Sequence, residues 1–233
     1  MSAFARSILA AGTLDAARLV LGAFLIRDSG PERRVGRIVE VEAYVGDDDM
    51  ASHARMGRTK RNAVMFGPPG VAYVYLVYGM YHCLNIVTEA SGRPAALLVR
   101  AVEPIEGMAE MRLARIRTAL ARPNRHYADP DRARKHIDGL PALRLASGPG
   151  LVCAAFSIDR SDDGLDLLDG NSALRIEEAP PGYGPIAVAT GPRIGIGYAP
   201  EPWLSHPWRF YDSGSGAVSG SGLGVAGRRK ATA

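Results

Sequence analysis

The sequence predicts an α+β fold: a single domain in which helices pack around a mixed or antiparallel sheet of short strands. The chain has 233 residues, of which 47% are hydrophobic, and this is enough for one large core. Several β-rich runs punctuated by Gly and Pro alternate with two helical segments, and no stretch within residues 1–212 has the composition of a linker. Residues 213–233 are rich in Gly and Ser and end in basic residues, which predicts a flexible basic tail.

The first element is a predicted helix that starts at Thr13. Thr13 is a suitable N-cap, Asp15 lies in the first turn, and apolar residues at helical spacing continue to Leu21 before Gly22 ends the helix. The apolar run over 19–26 has no small-residue cleavage site after it. We therefore expect a cytosolic chain rather than a secretory signal.

Residues 35–45, with the sequence VGRIVEVEAYV, alternate in hydrophobicity and predict a strand with one acidic face. One face is expected to carry Val35, Val39, Val41, Ala43 and Val45, and the other to carry Glu40, Glu42 and Tyr44. Further strands are predicted at 71–78, 95–102, 151–158, 174–177 and 184–189, and a helix is predicted over 105–121.

Positive charge is concentrated in one stretch of an otherwise mildly basic chain. The formal net charge is +4, whereas residues 112–136 hold eight basic and two acidic residues, a local charge of +6. The basic residues are Arg112, Arg115, Arg117, Arg122, Arg125, Arg132, Arg134 and Lys135. Such a run indicates either a solvated helix face or a surface that attracts phosphate groups.

Several common functional classes have no support in the sequence. No GxGxxG motif, P-loop or GxSxG motif is present, which argues against dinucleotide, nucleotide and serine-hydrolase chemistry. Cys83 and Cys153 stand in apolar surroundings without further ligands nearby, so we expect buried, reduced thiols. No apolar run is long enough to predict a membrane span.

The segment 40–53, EVEAYVGDDDMASH, is the strongest candidate for chemistry. The run Asp47, Asp48, Asp49 and His53 suggests a metal site, but it lacks both the ligand spacing of a calcium loop and a zinc motif, so a solvated acidic turn is the alternative. Glu40 and Glu42 share a strand face, where they form either an exposed acidic edge or, when buried, a general base with a raised pKa.

Aromatic and basic residues elsewhere could complete such a site. Tyr73 and Tyr75 share a face of their predicted strand, and Tyr78, Tyr81 and His82 follow. Tyrosines in strands are usually core residues, but clustered tyrosines also suit the stacking of nucleic-acid bases. Arg100 interrupts the apolar run PAALLVRAV and would pair naturally with Glu42.

Five strings in order carry a resemblance to a known family: GRIVEVEAYVGDDDMASHARMGRTKRN, MFGPPGVAYVYLVYGMYHCLNIV, LLVRAVEPIEGM, SGPGLVCAAFSID and GPRIGIGYA. Between about residues 15 and 211 the chain resembles the alkyladenine (3-methyladenine, or methylpurine) DNA glycosylases. The resemblance implies a monofunctional enzyme that flips a damaged purine from duplex DNA and hydrolyses its N-glycosidic bond. It implies no metal, no cofactor and no lysine Schiff base.

The resemblance also implies roles for individual residues. Glu42 matches the general base, Arg100 matches a residue that holds the nucleophilic water, and the carbonyl group of Ile194 matches a further water ligand. The positions that match the base pocket are Tyr44, His53 and Tyr75 for stacking, the Ala51 main chain and Asn85 for reading the base edge, and Leu98 for the wall. The positions that match DNA contacts are Tyr78 as the wedge, Met80, Tyr81, Arg58 and Arg61.

The expected substrates are 3-methyladenine and, beyond it, 7-methylguanine, hypoxanthine and ethenoadenine in duplex DNA. The expected form is a monomer in the cytoplasm, associated with the nucleoid in a prokaryote or nuclear in a eukaryote. The alternatives are a nucleic-acid-binding module without catalysis and a metal-dependent hydrolase built on residues 47–53.

Overall fold

The computed structural model describes residues 4–77, 79–121 and 129–220. Its helices are α1 (Arg6–Ala11), α2 (Thr13–Val20), α3 (Met108–Ala121), α4 (Pro130–Asp138) and α5 (Pro149–Phe156). Its strands are β1 (Phe24–Ser29), β2 (Glu32–Tyr44), β3 (Ala72–Val77), β4 (Tyr81–Thr88), β5 (Ala95–Glu106), β6 (Leu174–Glu177), β7 (Val188–Gly191) and β8 (Arg209–Asp212). Short 3-10 turns at His53–Met56 and Ala63–Phe66 precede β3.

The eight strands form one antiparallel sheet, which confirms the predicted α+β class. The order is β3-β4-β5-β2-β1-β6, with β7 and β8 attached at β2. Strand β2 is long enough that its first half pairs with β1 while residues 40–42 pair with β8. The centre of the sheet therefore lies where β2, β5 and β8 meet.

The two faces of the sheet differ in what covers them. Alternate residues of β2, β4 and β5 pack against α1, α2, α3 and α5 in the largest core cluster, which includes Val41, Leu84, Leu97, Met111 and Val152. The opposite face carries Glu42, Leu98, Asn85 and Tyr73 side by side in register across four strands. Loops and the 3-10 turns cover that face. The polar side chains on it project from hydrogen-bonded strands, which fix their backbone positions.

The predicted alternation of β2 is wrong at its centre. Val39 lies in a small cluster with Ala101 and Ala217, whereas Val41 lies in the main core with Ile38. The register with β5 slips between Ile38 and Glu40, so Val39 is the extra residue of a β-bulge. A bulge reverses the alternation that a regular strand would keep, and no hydrophobic pattern predicts it.

Three other predictions of secondary structure need correction. Residues 151–158 are not a strand. Helix α5 begins with Pro149 and ends at Phe156, where Ser157 caps it in the left-handed conformation with a φ of 51°. A short apolar run does not distinguish a buried helix from a buried strand. The expected strand at 184–189 begins only at Val188, and β1 and β4 were not predicted.

The last described residues pack onto the domain. Ala217, Val218 and Ser219 are buried, and Ser219 donates its backbone N–H group to Glu40 at 2.6 Å. The flexible tail over 213–233 stays a prediction for its later part, because residues 221–233 lie outside the described residues.

Some arginines of the basic stretch over 112–136 form hydrogen bonds within the fold. Arg112 donates to the carbonyl groups of Ile137 and Leu140, both at 2.6 Å, which closes the C-terminal end of α4. Arg115 donates to the carbonyl group of Arg144 at 3.1 Å. Arg122 and Arg125 lie outside the described residues. Among the described residues, no helix has the length and apolar character needed to cross a bilayer.

Candidate active site

Two β-bulges aim Arg100 at the acidic face of β2. After the bulge at Val39, Glu40 pairs with Ala101 and Val41 pairs with Val99, which leaves Arg100 as the extra residue of β5. Bulges redirect side chains and occur often next to active sites. The expected pairing is present: Arg100 Nη1 lies 3.1 Å from Glu42 Oε1.

Glu42 is fully buried and has three polar contacts. Besides Arg100, its Oε1 accepts the backbone N–H of Ile194 at 2.6 Å, and its Oε2 accepts the hydroxyl of Tyr44 at 3.1 Å. Burial raises the pKa of Glu42, and the positive charge of Arg100 opposes part of that rise. The site thus holds a carboxylate of increased basicity.

Glu40, two residues away, is also buried but is held by other elements. Its Oε1 accepts Arg100 Nε and Arg209 Nη1, each at 3.1 Å, and its Oε2 accepts the backbone N–H of Ser219. The hydroxyl of Ser219 accepts Arg100 Nη2 at 3.2 Å. Glu40 therefore ties β2 to β5, β8 and the C-terminal segment.

An aromatic cavity, which we call the inner slot, lies beside this carboxylate cluster. Its lining residues are Tyr44, Ala51, His53, Met65, Tyr73, Tyr75, Asn85, Ala96 and Tyr198. The slot has a volume of about 40 Å³. It shares Tyr44, His53, Tyr75 and Tyr198 with a second cavity of about 540 Å³, which we call the outer cleft. The structure thus brings together the predicted pocket residues Tyr44, Ala51, His53, Tyr75 and Asn85.

The rings of the slot are fixed by contacts with one another. The His53 and Tyr75 centroids are 4.5 Å apart, and the Tyr73 and Tyr75 centroids are 5.3 Å apart. His53 Nδ1 lies 3.1 Å from the hydroxyl group of Tyr73. Packing of the imidazole against these rings, together with the nearby Arg61 and Arg55, lowers the pKa of His53 to about 4. The imidazole is therefore neutral at pH 7.

A buried ion pair supports Tyr44 from inside the protein. Arg193 contacts Asp49 through two bonds of 2.5 and 2.9 Å, and both side chains are fully buried. The Arg193 guanidinium lies 4.7 Å from the Tyr44 ring centroid and 5.0 Å from that of Trp208. Asp49 is thus a structural anchor, whereas Asp47 and Asp48 are exposed.

Three further predicted residues of the site line the outer cleft. Leu98, Arg100 and Ile194 line it together with Cys83, which is a free, buried thiol as expected, and with Pro149. Burial raises the pKa of Cys83 to about 11, so the thiol is protonated at pH 7.

The loop that holds the predicted phosphate contacts borders the cleft. The guanidinium of Arg61 lies 5.5 Å from the Tyr75 ring, and that of Arg55 lies 5.3 Å from the Tyr198 ring. Arg58 lies 5.8 Å from Phe66. Arg61 lines the outer cleft and Arg55 packs on Tyr198, which also lines it, so both cations lie at the cleft's edge.

Other predicted residues are placed elsewhere. Met80 and Tyr81 line a separate cavity between α3, α5 and β4. Tyr78 lies outside the described residues. Within the described ranges, no group of three or more His, Cys, Asp or Glu side chains is arranged to hold a metal ion.

Three residues of the site were not singled out from the sequence, and a fourth, Asp49, was considered only as part of a possible metal site. Arg193 and Tyr198 belong to the motif GPRIGIGYA, in which a lone arginine and a tyrosine stand among small and apolar residues. Asp49 is the last of three consecutive aspartates, and only its ion pair with Arg193 distinguishes it from the other two. Ser219 lies in a segment whose composition indicates flexibility.

Comparison with known proteins gives a consistent result. The sequence model of the methylpurine-DNA glycosylase family matches residues 7–216. A candidate 3-methyladenine DNA glycosylase of Methanocella arvoryzae is 47% identical over 207 residues, which cover 89% of this chain and 90% of that protein. A protein of the same name from Anaeromyxobacter dehalogenans strain 2CP-C is 44% identical over 215 residues, 92% of this chain and 85% of that protein. Another from Bacillus cereus strain G9842 is 43% identical over 211 residues, 89% of this chain and 94% of that protein.

Proposed function

Because the chain belongs to the methylpurine-DNA glycosylase family, we propose that it flips damaged purines out of duplex DNA and uses Glu42 to hydrolyse their N-glycosidic bond. It is a DNA glycosylase that acts on methylated purines, 3-methyladenine among them. The proposal extends this activity to 7-methylguanine, hypoxanthine and ethenoadenine, and it assigns the individual residues. The observation that carries it is the buried Glu42 carboxylate, whose three partners Tyr44, Arg100 and Ile194 all line the outer cleft.

Glu42 acts as the general base. A water molecule held by Glu42, Arg100 and the carbonyl group of Ile194 transfers a proton to the Glu42 carboxylate as its oxygen attacks the deoxyribose C1′. For a cationic, alkylated purine the C1′–N bond breaks, the bonding electrons neutralise the purine as it leaves, and an abasic site remains; a neutral purine must in addition take up a proton as it leaves. General-base catalysis of this kind contributes roughly 10²- to 10⁴-fold to the rate. The raised pKa of Glu42 suits the role, because it increases the basicity of the carboxylate.

The inner slot and the adjoining part of the outer cleft together stack the flipped base between Tyr44, His53 and Tyr75, which line both. Flipping costs a few kcal/mol in lost stacking, and the aromatic faces offset that cost. A purine that carries a positive charge after alkylation also gains cation–π energy from tyrosine faces. Since His53 is neutral at pH 7, it does not repel such a base. The cationic purine leaves as a neutral molecule, so one carboxylate suffices for these lesions.

DNA is held at the rim of the cleft. Arg58 and Arg61 contact phosphate groups, Tyr78 fills the gap that the flipped nucleotide leaves in the duplex, and Met80 and Tyr81 lie near the DNA. One lesion offers no symmetry for a second copy to match, so the protein acts as a monomer.

A single-turnover assay tests the proposal. Duplexes with one ethenoadenine, one hypoxanthine or one 7-methylguanine are incubated with excess protein in a chelator, and abasic sites are then cleaved with alkali. We expect strand cleavage at each lesion, none in an undamaged duplex, and none with the control variant Glu42→Gln. Tight binding without cleavage would favour a non-catalytic binding module. Activity that the chelator abolishes would favour a metal-dependent hydrolase.

A further inference from the structure

We propose that the hydroxyl group of Tyr198 lets the inner slot accept purines that carry an oxo group. The inference rests on the proposed function and concerns its specificity. Tyr198 lies at the boundary between the inner slot and the outer cleft, and it lines both. Its hydroxyl group donates a hydrogen bond of 2.9 Å to the carbonyl oxygen of Ala51 inside the slot.

The backbone around Tyr198 is anchored while its side chain is open to solvent. Ile196 and Ala199 are buried in one cluster with Ala51, and Ala199 donates its N–H to the Ile196 carbonyl at 2.8 Å. The Tyr198 residue itself is 59% exposed. The ring can therefore adjust to an entering base while the hydroxyl group stays within reach of Ala51.

The Ala51 carbonyl group is a fixed acceptor in a buried wall. Ala51 is 1% exposed, and Tyr73, Asn85 and Ala96, which line the same slot, are buried as well. A buried acceptor without a donor is costly, so a base that enters the slot must either supply a donor or leave one in place. An adenine lesion carries a 6-amino group, which can donate to Ala51. A guanine or hypoxanthine carries a 6-oxo group, which cannot.

A tyrosine hydroxyl group reduces this conflict because it brings one donor to the two acceptors. With a 6-amino purine the base donates to Ala51, and the hydroxyl group is dispensable. With a 6-oxo purine two acceptors meet, and the hydroxyl group of Tyr198 supplies the proton that one of them needs. Tyr198 is therefore a specificity-determining residue that broadens the range of bases rather than a residue of the hydrolytic step.

Competition between two lesions in one DNA sample tests the inference. DNA treated with a methylating agent contains 3-methyladenine, which has a 6-amino group, and 7-methylguanine, which has a 6-oxo group. Both are cationic, so charge does not separate them. The released bases are quantified by chromatography for the wild-type protein, for Tyr198→Phe and for the matched control Tyr183→Phe. Tyr183 is an exposed tyrosine that packs against Phe24 and lines neither the slot nor the cleft.

We expect Tyr198→Phe to release 3-methyladenine within about threefold of wild type and to lose about tenfold or more of its 7-methylguanine release. Tyr183→Phe should leave the ratio unchanged. An unchanged ratio in Tyr198→Phe, or the same shift in Tyr183→Phe, would overturn the inference. So would a wild-type protein that releases neither 7-methylguanine nor, from a second duplex, hypoxanthine. Failure of the wild type to release any base would instead refute the proposed function.

Discussion

Glu40 and Glu42 are the same residue type, on the same face of one strand and equally buried, yet their surroundings differ. Glu40 contacts two arginines, from β5 and β8, and a backbone N–H group of the C-terminal segment. Glu42 contacts one arginine, one backbone N–H group and one phenol. Each side chain has 0% exposure. Residue type and strand position therefore do not separate the carboxylate that ties the fold together from the one that we propose as the base.

Glu40 and Glu42 are distinguished by the residues that contact them. The bonds of Glu40 join elements of the fold and compensate its charge with two guanidinium groups. The partners of Glu42 line the outer cleft, and burial raises its pKa. A carboxylate that the fold compensates less fully is a better base and contributes less to stability, which is a common compromise at active sites.

The largest expected effect comes from Glu42→Gln. The change keeps the shape of the side chain and removes the proton acceptor, so we expect single-turnover excision to fall by about 10²- to 10⁴-fold. Binding of a lesion duplex, measured by fluorescence anisotropy, should stay within a few-fold of wild type. Glu40→Gln is the matched control and should retain most of the excision rate. A greater loss of activity in Glu40→Gln than in Glu42→Gln would reverse the roles of the two residues.

The free energy of unfolding should decrease more in Glu40→Gln than in Glu42→Gln, the reverse of the order expected for excision. Glu40→Gln removes the charge that compensates Arg100 and Arg209, and breaking a buried ion pair typically costs about 3–5 kcal/mol. Glu42 has a raised pKa in the fold, so above that pKa its ionised form lowers the free energy of unfolding. We therefore expect Glu42→Gln to change the free energy of unfolding by about 1 kcal/mol or less, because Arg100 keeps Glu40 as its partner. Urea denaturation at pH 7 measures both values, and an equal loss in the two variants would contradict the comparison.

Ser219→Ala should have the smallest effect on excision. It removes the hydroxyl acceptor of Arg100 but keeps the backbone N–H that binds Glu40. Loss of one hydrogen bond to a charged group costs about 1.5–3 kcal/mol at most, and less if water replaces the hydroxyl group. We expect a modest decrease in the melting temperature and less than a tenfold loss of excision. An inactive variant would show that the C-terminal segment positions Arg100 through this hydroxyl group.

The sequence was sufficient to predict the chemistry-bearing face but not its geometry. Strand alternation places Glu40, Glu42 and Tyr44 together, and the charge of Arg100 in an apolar strand predicts a carboxylate partner. The bulges at Val39 and Arg100 do not follow from periodicity, because each depends on how two strands pair. Without them, Arg100 would not lie between the two carboxylates.

Contacts between residues that are far apart in the sequence could not be predicted either. Asp49 differs from its two exposed neighbours only through Arg193, which follows it by 144 residues. The Gly/Ser-rich composition near Ser219 predicts flexibility, whereas the fold uses its backbone N–H group to satisfy Glu40. The helix at Thr13 was predictable because periodicity acts within a few residues, but the predicted cap was wrong: Gly12 is the N-cap, and the Thr13 hydroxyl group bonds to Thr88 and Glu89 instead. Local sequence patterns predict single elements, but they do not predict which distant residues will pair.

The pH dependence of single-turnover excision tests the central claim most directly, with 7-methylguanine as the substrate because its departure needs no general acid. The base must be ionised to act, so the rate should fall as the pH drops through the pKa of Glu42. We expect this fall to be centred above the ordinary glutamate value of about 4.3. Glu40→Gln should move it to lower pH, since the negative charge of Glu40 raises the pKa of Glu42. A fall centred at or below the ordinary value, or an unchanged profile in Glu42→Gln, would contradict the assignment of Glu42 as the base.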